Sequence, residues 1–184
     1  MSQEVKTRAI VFQTYPYKEQ SRILRLHTEH EGTLSALALG KMQKVSLTGA
    51  LVQVRLRMRS QREVQRIAEM EWDYVYRTLF HDPRRHPYLL LAVEWLSRCL
   101  VAPDPVLFQW VRAQLIRLDE APDMESHLRG VFGELLARWG VGAPLSAASL
   151  REVEGLYRQA FPDWKPLRTL SLIETLSLLT YDRG

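Results

Sequence analysis

The sequence predicts a multi-domain protein that is first all-β and then all-α. We expect an N-terminal five-stranded OB-fold barrel in residues 1–80 and a C-terminal helical bundle in residues 81–184. Apolar residues recur with a period of two through the first 75 residues, and with helical spacing after residues 81–83. Residues 1–80 hold 13 Lys and Arg against 8 Asp and Glu, whereas residues 81–184 hold 12 against 13. This skew fits a polyanion-binding module joined to a packing or partner module, although it also fits ordinary solvated charge.

Strands are predicted at residues 9–14, 22–28, 33–39 and 51–59. In 51–59, four apolar side chains alternate with Gln53, Arg55, Arg57 and Arg59, a separation that a helix cannot produce. Pro16 is expected to interrupt the first strand region, since proline has no N–H for a β-ladder. Residues 64–69 fit a fifth strand, although a helix remains possible there. Five short strands with tight turns favour an OB-type barrel, which closes most of its edges, over the alternative of an SH3-like barrel.

Helices are predicted at residues 87–100, from Pro105, from Pro122 to Gly140, at 146–160 and at 167–179. Asp104 followed by proline is the pattern of an N-cap and a first helical position. One face of the second helix is expected to hold Val106, Trp110, Ala113 and Leu118. Short connections between these segments predict an all-α bundle.

Bulk properties and motifs exclude several classes of protein. No apolar stretch approaches the length of a membrane span, and residues 1–7 lack an apolar signal segment. Cys99 is the single cysteine, which excludes an intramolecular disulfide framework and favours a reducing, cytoplasmic setting. The sequence lacks a phosphate-binding loop, a dinucleotide-binding glycine motif and the HExxH and GxSxG motifs. We therefore expect no catalysis and no cofactor.

Histidine and cysteine positions give little support for a reactive centre. On a strand, His27 and His30 would lie on opposite faces, so they should not share a metal ion. His81, Asp82 and His86 could approach one another, but a solvated loop is the simpler interpretation. Cys99 is expected to be a small buried thiol, because its neighbours are apolar. No metal is expected.

Basic side chains are the positive candidates for a binding site. The candidates are Lys41, Lys44, Arg55, Arg57, Arg59, Arg62 and Arg66. The two lysines lie in a predicted loop directly after a strand, where they could reach phosphates while staying partly hydrated. The first three arginines should be spaced about 7 Å apart along one strand face, close to the phosphate step of an extended single strand. A solvent face that happens to be rich in arginine is the alternative.

Aromatic candidates for base stacking are fewer. Tyr15 and Tyr17 are possible stacking platforms, whereas Phe12 is expected to belong to the core. Binding should therefore be mostly electrostatic and only weakly sequence-specific.

A set of residues along the chain has the order and spacing of a known family. In the first domain these are residues 7–11, Tyr17, Glu19, Ser21, residues 23–26, Thr28, Glu29, Gly32, Leu34, Ala38, Gly40, Ser46 and residues 49–51. They resemble the N-terminal OB-fold of the bacterial RecO recombination mediators, and residues 128–142 and 167–172 extend the resemblance. The chain departs from the family pattern at Leu39 and Val52-Gln53, lacks the four-cysteine zinc site of many members, and is shortened between Gly142 and Ser149. No structural zinc is expected.

The resemblance implies DNA repair through the RecF-type pathway of homologous recombination. Such proteins bind single- and double-stranded DNA, promote strand annealing and help to load a RecA-type recombinase, in the cytoplasm at the nucleoid. Their partners are a RecR-type ring protein and the acidic C-terminal tail of single-strand-binding protein. By position, Arg8, Lys41 and Lys44 correspond to DNA-binding residues, and Arg129 and Leu136 to the tail-binding groove. The alternative is a protein-interaction adaptor whose barrel binds a peptide or partner subunit without binding DNA.

Overall fold

The computed structural model describes residues 3–141 and 149–181, with side chains described as far as residue 175. Its five strands are β1 Gln3–Lys18, β2 Ser21–Thr28, β3 Gly32–Leu39, β4 Leu51–Met58 and β5 Val64–Tyr74. They close into a barrel in the order β1-β2-β3-β5-β4. Five helices follow, so the predicted fold class, a five-stranded OB-type barrel and then helices, is confirmed. The segment that left strand and helix open is a strand.

Alternation of side chains along the strands forms the barrel core. Val52, Val54 and Leu56 of β4 are buried, as their period of two predicts. The other strands contribute Ile10, Leu24, Leu26, Ala36, Ala38 and Ile67. The residues between these positions consequently point outward, and they decide what the surface of the barrel can bind.

Strand β1 continues through Pro16, so the predicted interruption is wrong. β1 pairs with β4 only from Gln3 to Ile10, and its remaining length pairs with β2. Pro16 therefore lies where β1 has one strand neighbour, and its missing N–H removes no bond that a second neighbour would need. Register shifts on either side, at Val11/Gln13 and Pro16/Lys18, let the strand bend around the barrel.

The predicted lysine loop is a short 3-10 helix, Gly40–Lys44, rather than an irregular loop. It starts where Gly40 takes a positive φ of 56° and its N–H donates to the carbonyl of Gln20 at 3.0 Å. Ser46 Oγ donates to the carbonyl of Met42 at 2.8 Å and holds the exit of the helix. The lysines are thus carried by ordered backbone.

The helices are α1 His86–Cys99, α2 Pro105–Glu120, α3 Met124–Arg138, α4 Leu150–Ala160 and α5 Arg168–Tyr181. Asp104, Asp123 and Ser149 cap α2, α3 and α4 by accepting backbone N–H groups of the first turn. The predicted start of the fourth helix at residue 146 and the predicted shortening after Gly142 fall in 142–148, outside the described residues.

The buried face of α2 differs from the predicted face. Val106 is 77% exposed, whereas the core positions are Phe108, Val111, Leu115 and Leu118. The cap at Asp104 fixes where the helix begins, but the face that turns inward depends on which residues pack against it. For the first turns of α2 those residues belong to the barrel.

Two compact units divide the chain. The first comprises Met1–Arg77 and Trp95–Ile116. Residues 95–116 therefore belong with the barrel, although the predicted boundary at residue 80 assigned them to the helices. Thr33 shows why, because its N–H donates to the carbonyl of Val101 at 2.9 Å and its Oγ1 donates to that of Leu100 at 2.8 Å. Gly32 permits this approach, since it takes a φ of 70° and a Cβ at this position would lie only 2.7 Å from the Val101 oxygen.

The second unit comprises Thr78–Glu94 and Arg117–Gly184. Buried Asp119 accepts the backbone N–H groups of Thr78 and Leu79 at 2.9 and 3.0 Å. Tyr157 of α4 donates its hydroxyl to the carbonyl of Phe132 of α3 at 2.9 Å. Each bond satisfies a buried polar group, which fixes the packing of these helices.

Candidate nucleic-acid interface

The outer face of β4 carries the arginines that were predicted to form a stripe. Arg55 and Arg57 lie between the buried residues of β4, as predicted, but each pairs with a carboxylate on a neighbouring strand. Arg57 Nε donates to Glu4 Oε1 at 2.9 Å, and Arg55 Nη2 donates to Glu69 Oε1. The register sets these partners directly opposite each other. Both arginines are neutralised where they stand, so the prediction that they are free for phosphates is wrong.

Arg8 is also paired. Its Nε lies 3.5 Å from Oδ1 of Asp73, a buried carboxylate that accepts a second bond, at 2.5 Å, from Arg112 Nε. A nearby cleft of about 340 Å³ is lined by charges of both signs, among them Lys6, Arg55, Glu69 and Glu71. A surface of mixed sign attracts a polyanion weakly. The outer face of β4 is therefore a poor candidate for the DNA path.

Other cations of the barrel make no ion pair with any residue that the structure describes. These include Arg22, Arg25, Lys41, Lys44, Arg59, Arg62 and Arg66. Five of them were predicted as site residues. The first two were missed, because in an alternating strand they were counted only as its polar half. Recognising them required knowing which strands lie beside β2.

The turn between β4 and β5 presents two of these arginines on an ordered backbone. Gln65 is buried, and its Oε1 accepts the N–H of Arg59 at 2.8 Å. Its Nε2 donates to the carbonyls of Arg59 and Arg62 at 3.2 and 2.6 Å. A single buried amide thus holds the backbone at both arginines, so their side chains extend from a defined position.

An outward surface, here called the open face, extends across β1, β2, β3 and β5. Its first row, set by strand register, is Tyr15, Ile23, Leu37 and Arg66. Its second row is Gln13, Arg25, Ser35 and Val64. Tyr15 is 49% exposed, and its hydroxyl donates to Gln13 Oε1, which holds the ring in place. The open face combines an aromatic ring, aliphatic side chains and arginines without a carboxylate partner among the described residues.

His27 marks the closed end of this surface, because α2 covers the next row. Its ring stacks on Phe12 with centroids 5.7 Å apart and lies 6.1 Å from the ring of Phe108. Phe12 is buried, as predicted. Burial lowers the pKa of His27 to about 4, against a smaller raising effect of Asp104. His27 is therefore a neutral core residue and not a phosphate ligand.

The remaining histidines and the cysteine form no metal site in the part of the chain that the structure describes. His30 is exposed in a turn, with Nε2 4.0 Å from Glu29 Oε2. His86 Nδ1 lies 3.0 Å from the carbonyl oxygen of Leu79. Cys99 is half-buried rather than fully buried.

Helix α3 holds the two residues predicted for a partner's tail. Arg129 is half-buried, and its Nη2 donates to Ser126 Oγ at 2.9 Å. Leu136 is fully buried in the core of the second unit. It therefore cannot form the wall of an open groove in this structure, and the predicted tail-binding role remains a prediction for Arg129 alone.

Comparison with known families supports the barrel assignment. Residues 1–76 match the family model described as recombination protein O N terminal. A search of curated proteins gave no match to the chain. None of the described helices is both long and apolar enough to cross a membrane. The matched residues end just after β5, so the match covers the whole barrel that carries the open face. Through this N-terminal domain the chain belongs to the recombination protein O family, a family of DNA recombination and repair proteins.

Proposed function

We propose that this protein binds single- and double-stranded DNA through its barrel, promotes annealing of complementary strands and helps to load a recombinase in RecF-type recombination. The observation that carries the proposal is the group of barrel cations without carboxylate partners among the described residues, two of which lie on the open face. Annealing requires neutralisation of two polyanions and makes no covalent bond. The activity is accordingly non-enzymatic and needs no metal or cofactor.

Charge pairing distinguishes the open face from the outer face of β4. Arg25 and Arg66 lie within the open face, and Arg59 and Arg62 lie in the turn that leads into β5 beside Val64. None of these four has a competing carboxylate in the part of the chain that the structure describes. A phosphate that reaches them releases counterions without first breaking an ion pair. We therefore assign the DNA path to the open face.

Paired arginine substitutions test this assignment. Arg62→Gln with Arg66→Gln should weaken binding of a fluorescent oligonucleotide about tenfold and lower the salt dependence by one to two released ions. The matched control, Arg55→Gln with Arg57→Gln, removes two positive charges from the same barrel and should change affinity by less than about threefold. Equal losses in the two double variants, or no binding by the unmodified chain at low salt, would contradict the proposal.

The recombination activity requires partners as well as DNA. We propose a RecR-type ring protein, a RecA-type recombinase and the acidic tail of single-strand-binding protein, with Arg129 as a contact for the tail carboxylate. Annealing of complementary oligonucleotides, measured with and without single-strand-binding protein, tests the mediator role. Arg129→Gln should reduce annealing only when that protein coats the strands. A loss without it would assign Arg129 to another role.

A second candidate function is supported by the mixed-sign outer face of β4. The alternating pairs of arginine and carboxylate on this face fit a protein surface of similar pattern better than they fit DNA. This candidate is an adaptor whose barrel holds a partner subunit. In that case Arg55→Gln with Arg57→Gln would abolish a specific protein interaction, and the unmodified chain would show no DNA binding at low salt.

A further inference from the structure

We infer that the open face selects unpaired bases, so that this protein binds single-stranded DNA more tightly than duplex DNA of the same length. The inference rests on the proposed DNA binding and adds a determinant of selectivity to it. Three uncharged side chains carry it. Tyr15, Ile23 and Leu37 occupy neighbouring positions in the first row of the open face, and Arg66 is the fourth member of that row.

The row is wide enough for stacked or splayed bases. Adjacent strands lie about 4.8 Å apart, so Tyr15 and Leu37 are about 10 Å apart and Arg66 is about 14 Å from Tyr15. The second row brings Arg25 beside this strip, opposite Gln13 on one strand and Ser35 on the other. A platform about 10 Å long is thus bordered by cations that have no carboxylate partner among the described residues.

Tyr15 is held ready to stack. Its hydroxyl donates to Gln13 Oε1 on the same strand, and the following Pro16 restricts the backbone. The ring remains 49% exposed. A ring fixed in advance loses little rotational freedom when a base stacks on it.

Duplex DNA cannot use the strip in the same way. Its base faces are already stacked inside the helix, and its outer surface consists mainly of phosphates and sugars. Phosphates pressed against Ile23 and Leu37 would lose water without gaining a hydrogen bond. In a single strand the bases can turn onto the strip while the phosphates turn to Arg25 and Arg66, so both halves of the nucleotide find a suitable partner.

Substitution of Tyr15 in the full chain tests the inference. Affinities are measured by fluorescence anisotropy for an oligothymidine strand and for a blunt duplex of equal length. Tyr15→Ser should weaken single-strand binding about tenfold and leave duplex binding within about twofold. Tyr15→Phe keeps the ring and should restore most of the single-strand affinity. Tyr17→Ser is the matched control, because Tyr17 is 54% exposed but lies at a register shift without a cross-strand partner of its own.

The outcomes separate this inference from the function on which it rests. Selective loss of single-strand affinity in Tyr15→Ser, with recovery in Tyr15→Phe, supports a stacking platform. Equal loss for both DNA forms, an equal effect of Tyr17→Ser, or no effect overturns the inference while DNA binding stands. Absence of DNA binding by the unmodified chain overturns the proposed function itself. If a peptide bound at this face instead, Tyr15→Ser would leave both DNA affinities unchanged.

Discussion

Protonation of one buried imidazole should make the stability of the barrel depend on acidity. Thr33 Oγ1 has a single hydrogen and donates it to the carbonyl of Leu100, so the 2.9 Å contact with His27 requires Nδ1 of His27 to donate. The neutral ring thus carries its proton on Nδ1. A second proton would have to enter on Nε2, on a ring stacked between Phe12 and Phe108.

The size of the effect follows from the two pKa values. The pKa of His27 is about 4 in the folded barrel, against 6.5 in an unfolded chain. Since the unfolded chain takes up the proton first, the stability contribution is complete above pH 6.5 and is lost as the pH falls toward 4. A difference of this size corresponds to about 3 kcal/mol in full, of which about 2.5 kcal/mol should be lost by about pH 4.5.

Denaturant unfolding at about pH 7 and about pH 4.5 measures this loss, and hydrogen exchange of the β2 and β3 amides locates it. His27→Asn serves as the control, because its side-chain amide can still donate to Thr33 but does not titrate. The variant should be less stable at neutral pH and should lack about 2.5 kcal/mol of the acid-induced loss seen in the unmodified chain. If both proteins lost the same free energy of unfolding between these two pH values, the reasoning about His27 would be refuted.

Three further predictions concern the barrel. Glu69→Gln with Glu4→Gln should release the arginines of β4 from their partners, raising DNA affinity about threefold and steepening its salt dependence in an anisotropy titration; unchanged affinity would show that these arginines cannot reach DNA. Gln65→Ala removes three hydrogen bonds from the turn before β5 and should lower the free energy of unfolding by about 2–3 kcal/mol and weaken DNA binding, by denaturant titration and anisotropy. Gly32→Ala places a Cβ against the carbonyl of Val101 in a left-handed conformation and should destabilise the protein by at least about 2 kcal/mol in thermal unfolding, whereas Gly130→Ala, in open space on a helix, should not.

The sequence predicts the barrel well because a period of two directly determines which side chains enter the core. Val52, Val54 and Leu56 are buried for that reason, and the arginines between them point outward. The neutralisation of those arginines could not be predicted in the same way. Glu4 and Arg57 are 53 residues apart and become neighbours only when β1 closes against β4.

The open face and the inner face of α2 escaped prediction for a related reason. Tyr15, Ile23 and Leu37 come from three strands, and only the register between those strands places them in one row. In α2, a helical repeat allows adjacent stripes to compete for the core. Phe108 faces inward and Val106 outward because the barrel offers the ring of His27 as a packing surface, which is information that α2 alone does not contain.

The course of β1 beyond Ile10 also bears on how copies of this protein avoid one another. A strand with one neighbour leaves a row of backbone donors and acceptors along its other side, and such a row is a template for edge-to-edge association. Here that row contains an imino acid at Pro16 and a bulge on each side of it. A second chain therefore cannot continue the ladder without a gap, which protects the protein from polymerising through this edge while leaving Tyr15 accessible on the adjoining surface.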